Sequence, residues 1–551
     1  MMNESSTIYK PNKSNFIWHC QKKVLTLDNY GGKVCKMLYP IGIQDFGNIR
    51  RDGYVYVDKT DLVYKMAHGS GKYIFLSRPR RFGKSLLVST LDAYFSGKKE
   101  LFEGLAIDAL EKDWIQYPVL RFDLSGENYS QTGSLDTVLS RQLKRWESMY
   151  GVTDIADTPS ARFKEIIEAA YQKTGLPVVI LIDEYDKPIV DNLGDETLSD
   201  TFRKQLQGFY SVMKAKDAFI KFGFLTGVTK IGKLSVFSGL NNLKDISMDA
   251  RYTDICGISE KDLKHYFKES VKELAATKHM SMDSCYKLLA EMYDGYHFCE
   301  DSEGMYNPFS LLNTFDSLRI DNYWFETATP SFLVRFLQRG NYRLDDITKD
   351  KVPVSMLKGV NAERPNAITL LYQTGYLTIK SYDPEFRRYG LGYPNKEVED
   401  SFMESLSEFY TPIEKSPGEL SADKFVEDIR SGNVDMLMRR FTAFFADMDY
   451  QIQGKAEMYF QNTMYVMLKL MGQQVQVERH TSNGRIDVLI QTDKYVYIIE
   501  LKRDKDPQDA LDQIDEKGYD WPFMADGRKV FKIGATFSPK NRRLENWEVR
   551  Q

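Results

Sequence analysis

The chain has 551 residues, a formal net charge of −4, 42% hydrophobic and 13% aromatic residues, and five scattered cysteines. That apolar content supports several packed cores and excludes wholesale disorder, and length alone suggests about three or four domains. The near-neutral balance excludes a whole-chain basic field, so any nucleic-acid contact has to come from local patches. Cys20, Cys35, Cys256, Cys285 and Cys299 show no metal spacing and read as reduced thiols of a cytoplasmic protein. No apolar run approaches the roughly 20 residues of a membrane helix, so no membrane partner is expected.

Residues 1–36 are polar and lysine-bearing, and read as a flexible extension or an upstream start ahead of a more ordered segment from Met37. Over 37–257, short apolar runs (Tyr73–Leu76, Val119–Asp123, Val178–Ile182, Ile220–Leu225) alternate with helical stretches. This alternation predicts an α/β unit with a mostly parallel sheet covered on both faces.

The first run leads into Arg78-Pro79-Arg80-Arg81-Phe82-Gly83-Lys84-Ser85 and then a helical pattern. Strand, tight loop, Gly-Lys-Ser and helix form the layout of a phosphate-binding loop. Its N–H groups and helix N-terminus hold phosphate oxygens, the lysine reaches the terminal phosphates, and the serine ligates magnesium. Arg78 stands where the usual pattern has its first glycine. The run Val178–Ile182 ends in Asp183 and Glu184, a buried strand delivering carboxylates to the sheet edge where ligands of such sheets bind. Asp183 is expected to hold magnesium, and Glu184 to orient or deprotonate the attacking water. Arg78, Arg80 and Arg81 beside Lys84 repel one another unless an anion such as a triphosphate or solvent screening lies among them. Thr226 or Thr229, at a third strand end, is a candidate sensor of the terminal phosphate, weighed evenly against a satisfied strand-end threonine. Arg251 is a candidate finger without further support.

Residues 258–345 read as a helical lid region opened by an N-cap at Ser259. In 346–410, a helix over Ala367–Gly375, a hairpin (Tyr376–Tyr382 with Arg388–Tyr393) and a helix capped by Asn395 suggest a winged-helix-like module. With no basic stripe, it is expected to pack between domains. Residues 411–420 read as a linker and 421–551 as a last domain.

That last domain carries a second acidic constellation in two β-runs joined at Asp493-Lys494. With those two residues as the tip, Thr492 pairs with Tyr495, and Asp487 falls opposite Glu500 on one face with Lys502. Opposed carboxylates need a cation between them; a divalent metal fits, with Lys502 steadying a hydroxide or phosphate charge. An odd-length loop would break this register. Glu457 shares a helical stripe with Phe460, Met464, Leu468 and Met471 and is a candidate third metal ligand, although that helix is apolar nearly all round. Gln513 and Lys517 sit one helical turn apart and could contact phosphate. The cations Lys529, Lys532, Lys540, Arg542 and Arg543 read as a solvated surface rather than a DNA patch.

These motifs carry a family resemblance. Tyr56-Val57-Asp58-Lys59-Thr60, the 75–85 segment, Ile182 to Pro188, Thr226-Gly227-Val228, Ser238 to Leu243 and Asp294 to Phe298 resemble the bacterial AAA-ATPase-like family. The C-terminal region is similar to the PD-(D/E)XK nuclease domain, with Asp487, Glu500 and Lys502 on its motif and Gln513-Ile514 following. The resemblance implies a P-loop NTPase parallel sheet domain, a helical lid and winged-helix-like middle, and a C-terminal α/β restriction-endonuclease-like domain. It implies ATP and Mg²⁺ as cofactors, nucleic acid (DNA in the first instance) as partner, and Arg78 as the family's form of the loop. Assembly into a homo-oligomer is left open. The leading expectation is an ATP-dependent nuclease. The alternative is an ATP-controlled switch whose nuclease-like domain binds a partner without cleaving.

Overall fold

The computed structural model describes residues 37–551 apart from 154–155, 231–235, 238–241, 325–332, 334–336, 338–341, 349–350, 358, 360–365, 411–421, 447–455, 471–473, 482, 526 and 539–542. Side chains are described over a slightly narrower set, which leaves out 456–460 and 474–480. The proposed extension over 1–36 and the linker over 411–420 therefore lie outside the described residues.

Five strands form the first sheet: β1 (Tyr73–Ser77), β2 (Val119–Asp123), β3 (Val178–Asp183), β4 (Ile220–Gly227) and β5 (Leu243–Asp245). Their order is β2-β3-β4-β1-β5, and every pairing is parallel. All six residues of β3 are buried. Val178, Ile180 and Ile182 enter one apolar cluster with Tyr73 and Phe75, while Val179 and Leu181 enter another with Ile74 and Leu76. Alternate residues thus feed cores on opposite faces, which is why these strands read as continuous apolar runs. Because the strands are parallel, the ends of β1, β3 and β4 share one edge, where helix α1 (Lys84–Phe95) begins.

The expected helical stretch follows, opened by Ser259 in a reciprocal capping box with Asp262 and continuing to α2 (Pro308–Ser317). Next come β6 (Lys351–Pro353), α3 (Ala367–Thr374), β7 (Thr378–Asp383), β8 (Arg388–Gly392) and α4 (Lys396–Tyr410). Gly375 ends α3 at φ 95°, a left-handed conformation that favours glycine, and Asn395 Oδ1 accepts the Val398 N–H at 3.1 Å. The helix–hairpin–helix order is as expected. The short strand β6, which pairs with β8, is an addition that three residues did not advertise.

The C-terminal region packs α5 (Ala456–Leu470) and α6 (Pro507–Lys517) with the sheet β9 (Gln474–Thr481), β10 (Gly484–Gln491), β11 (Tyr495–Arg503), β12 (Lys529–Ser538) and β13 (Arg543–Arg550). The sheet is mixed: β11 and β12 pair parallel, the others antiparallel. The one parallel pair is the one whose connection contains a crossover helix, α6, as parallel pairing requires. Cys256, Cys285 and Cys299 are buried free thiols. Among the described residues no helix is long and apolar enough to cross a membrane.

Candidate nucleotide and nuclease sites

The loop between β1 and α1 closes on its own lysine. The buried Lys84 Nζ donates to the carbonyls of Arg78 and Pro79 at 3.0 and 2.9 Å. Gly83 caps α1 with φ 88°, and Arg81 also stands in the left-handed region at φ 65°. For arginine that conformation costs on the order of 1 kcal/mol and persists only where the surroundings over-determine it. Burial pulls the Lys84 ammonium below its ordinary range, and the carboxylates of Glu184, Asp183 and Asp186 act against that pull.

Asp183, at the end of β3, meets the phosphate-loop serine. Ser85 hydrogen-bonds to its carboxylate, while Asp183 Oδ1 is buried with no hydrogen-bond partner. Burial raises Asp183 above the carboxylate range, with Ser85 and Lys84 opposing. A serine hydroxyl beside an incompletely satisfied buried carboxylate is a donor set suited to a hard cation. Glu184 follows at φ 51°, a second non-glycine residue in the left-handed region. Burial raises its carboxyl as well, and Lys84 is the main opposing charge.

The structure corrects the expectation for Arg78. Its side chain is buried, its guanidinium donates to the carbonyls of Ser77, Ser247 and Tyr252 at 3.0, 2.8 and 3.1 Å, and it stacks on the Phe298 ring. That charge is engaged inside the fold by three backbone carbonyls and an aromatic ring. Arg80 is half-buried and lies near enough to Glu184 to lower its pKa. Arg81 is exposed, with its guanidinium over the Phe309 ring. At the third strand end, the alternative of a satisfied threonine is the one seen. Thr226 Oγ1 donates to Leu76 O at 2.8 Å, and Thr229 donates its N–H and hydroxyl to Asp186 Oδ2, each at 2.6 Å. Both hydroxyls are satisfied within the fold. Arg251 pairs with Asp249 at the surface.

Sequence reading overlooked several residues at this site. Asp186 is the clamp for the β4 end, and its neighbour Gly227 has no room for a Cβ, which would lie 2.3 Å from Asp186 Oδ1. Asp123 ends β2 directly beside Asp183. Gln373 accepts the Lys230 N–H at 2.7 Å from α3, and Trp324 donates its indole N–H to the Arg80 carbonyl at 3.1 Å. A third acid in Asp-Glu-Tyr-Asp was a readable signal for Asp186; nothing local marked Gln373 or Trp324.

In the second site the hairpin register is as expected. The ladder runs from Gln491↔Val496 to Val488↔Ile499, with the Thr492 N–H on Tyr495 O at 2.9 Å. The ladder ends one pair short of Asp487 and Glu500, and the nearness of these two shows in the Asp487 charge acting on the Glu500 carboxyl. Past the end of the ladder the Leu501 N–H donates to Asp487 Oδ2 at 2.7 Å. Asp487 and Glu500 are both buried, and Lys502 Nζ lies 3.4 Å from Glu500 Oε1. Gln513, presented by α6, donates to Glu500 Oε1 and accepts from Lys502. Its amide therefore positions the acid and the lysine instead of reaching outward. Glu500 Oε2 is buried without a partner. Burial, and then the neighbouring Asp487 charge, push Glu500 up to about 8. Two crowded carboxylates with one oxygen unsatisfied fit a divalent cation.

No third His, Cys, Asp or Glu joins this pair among the described residues. Glu457 lies on α5, but its side chain is outside the described set, as are those of Phe460 and Met471; Met464 and Leu468 are buried. Every residue from 461 to 468 is buried, so α5 has no single inward stripe. Lys517 is exposed. Of the tail cations, Lys532 pairs with Asp515 and Asp520, and Lys529 lies over the Phe531 ring. Lys540 and Arg542 lie outside the described residues, and so does the Arg543 side chain.

Two family models match the chain: one described as a predicted AAA-ATPase over residues 40–237, and the PD-(D/E)XK nuclease superfamily over 455–547. A curated relative from Azotobacter chroococcum mcd 1, described as an uncharacterized protein in the vnfD 5′ region, is 35% identical over 521 residues. The match covers 93% of this chain and 98% of the relative. The similarity runs through both sites and the region between them, and the chain belongs to the AAA-ATPase-like family, with a C-terminal domain of the PD-(D/E)XK nuclease superfamily.

Proposed function

We propose that the chain binds and hydrolyses ATP at the β1–α1 loop and uses the nucleotide state to control a metal-dependent nuclease at Asp487, Glu500 and Lys502. The observation that carries this reading is a pair of buried, unpartnered carboxylate oxygens, Asp183 Oδ1 and Glu500 Oε2, each beside the residue types its chemistry needs. At the first site Lys84 leaves the Arg78 and Pro79 carbonyls for the terminal phosphates, Arg80 and Arg81 add positive charge, and Glu184 holds the attacking water. Ser85 and Asp183 would hold magnesium. At the second, Asp487 and Glu500 would hold a divalent metal, with Glu457 a candidate third ligand. Bound there, the metal supplies Lewis-acid polarisation of the phosphodiester and a hydroxide at neutral pH. Lys502 stabilises charge on the reacting phosphate, and Gln513 keeps Lys502 and Glu500 in register. Nucleic acid, DNA first, is the proposed substrate, in the bacterial cytoplasm.

The test incubates pure protein with single- and double-stranded DNA and RNA, Mg²⁺ or Mn²⁺, with and without ATP, beside Lys84→Ala and Asp487→Ala. Metal-dependent cutting that Asp487→Ala loses, and that depends on ATP only when Lys84 is present, is the expected result. ATP hydrolysis with no cutting of any substrate would replace it with the reading of a non-cleaving switch.

A further inference from the structure

We propose that Trp324 is a positioning residue of the nucleotide site, holding the phosphate loop in its binding conformation from outside the ATPase sheet. The proposal rests on the ATP reading above and adds to it a residue that no loop motif contains.

Trp324 is fully buried, and its indole N–H donates to the Arg80 carbonyl at 3.1 Å across 244 residues of sequence. In a trans peptide the carbonyl of one residue and the N–H of the next point in opposite directions; no cis peptide occurs among the described residues. Fixing the Arg80 carbonyl toward Trp324 therefore turns the Arg81 N–H away from Trp324. The preceding Arg78 and Pro79 carbonyls accept from Lys84 Nζ, so the chain hands its carbonyls to a different partner at Arg80. Arg81 follows in the left-handed region at φ 65°, which turns the next peptide again. A non-glycine residue stays there only when its neighbours hold it, and successive peptides turned this way form the anion-binding concavity of phosphate loops.

Beyond the carbonyls of Ser247 and Tyr252 that hold Arg78, several holding groups come from one stretch, residues 296–376. Phe82 sits edge-on to Tyr296 and Phe298, with ring centroids 4.7 and 5.6 Å away. The Arg81 guanidinium lies 4.8 Å over the Phe309 ring. Gly375 approaches Pro79 so closely that a Cβ would fall 2.6 Å from it. Trp324 is the member that fixes a backbone direction. It is itself pinned: its backbone N–H donates to Glu397 Oε1 at 2.8 Å, and its ring packs against Tyr376.

The experiment measures ATPγS binding by calorimetry on the full chain with Mg²⁺, for wild type, Trp324→Phe and Trp146→Phe. Trp146 is a buried indole of the ATPase domain with no loop contact among those described. Loss of one hydrogen bond is expected to weaken binding by about three- to tenfold in Trp324→Phe, and Trp146→Phe should match wild type. The KM for ATP should rise with kcat held at saturation, the pattern of a lost binding interaction. If Trp324→Phe does not fold, β-(3-benzothienyl)alanine at position 324 keeps the bicyclic shape and removes only the donor. Trp324→Phe binding within twofold of wild type, or an equal loss in Trp146→Phe, overturns the proposal while leaving the ATP reading intact. Wild type that fails to bind ATPγS overturns both.

Discussion

The two sites are built on opposite principles. The proposed nuclease cluster is local: Asp487, Glu500, Lys502 and Gln513 lie on one hairpin and the helix that follows it. The nucleotide site is distributed: its loop rests on Ser247, Tyr252, Phe298, Trp324 and Gly375, contributed by segments more than 160 residues downstream. A local site keeps its geometry wherever its hairpin folds, whereas a distributed one reports on the packing of everything that grips it. The nuclease site should therefore fail through its own acids, and the nucleotide site also through residues that never touch nucleotide.

The largest effect expected is on cleavage. Asp487→Asn should lower metal-dependent cutting on the order of a thousandfold or more while leaving ATP binding unchanged; nuclease and binding assays on one preparation check this, and a shared loss would erase the contrast. Next, Arg78→Ala strands three buried carbonyls that a charged donor satisfies, and should cost about 3 kcal/mol of stability. Arg81→Ala, at an exposed side chain, should weaken ATP binding without moving the thermal midpoint. Equal midpoints for the two arginine variants would contradict the distributed picture.

A smaller effect concerns Glu397. It is buried, accepts from Ser310 Oγ at 2.9 Å and the Trp324 N–H, and leaves Oε2 unpartnered. Burial raises its carboxyl from 4.5 to about 7. Between these values the folded chain keeps a proton that the unfolded chain releases, so stability falls as pH rises through that window, by up to about 3 kcal/mol, and is level above it. Glu397→Gln cannot ionise and should flatten that dependence; thermal midpoints at pH 5.5 and 8 for both proteins decide it, and parallel slopes would refute it. Smallest is Gln513→Ala, which removes the link between Glu500 and Lys502 and should slow cutting by about ten- to a hundredfold, with ATP affinity unmoved.

The same contrast decides what could be read from the chain alone. The Asp487–Glu500 register was legible because a two-residue tip fixes every pair outward from it, and because apolar residues at Val488, Ile490, Ile498 and Ile499 mark the hairpin as buried. Strands β1 and β3 were legible because full burial writes itself as near-unbroken apolar runs. Arg78 was misread because three neighbouring cations look alike until the fold shows which one finds carbonyls at Ser247 and Tyr252. Thr226 and Thr229 were ambiguous for the same reason: a hydroxyl's partner, here Leu76 O or Asp186, lies on another strand or turn. Trp324 belongs to no pattern, since one hydrogen bond to a distant backbone leaves no periodicity or spacing behind.

Helix α4 contacts both halves of the molecule. Glu397 faces Trp324, and two residues on, across the helix, Glu399 pairs with Lys469 of α5 at 2.8 Å. A helix gripped from opposite sides acts as an axle: it cannot roll to suit one neighbour without disturbing the other. Any free energy that nucleotide sends along it must be returned in kind, so a nucleic acid or metal held at the far end would tighten or loosen ATP by the same factor that ATP changes its own hold.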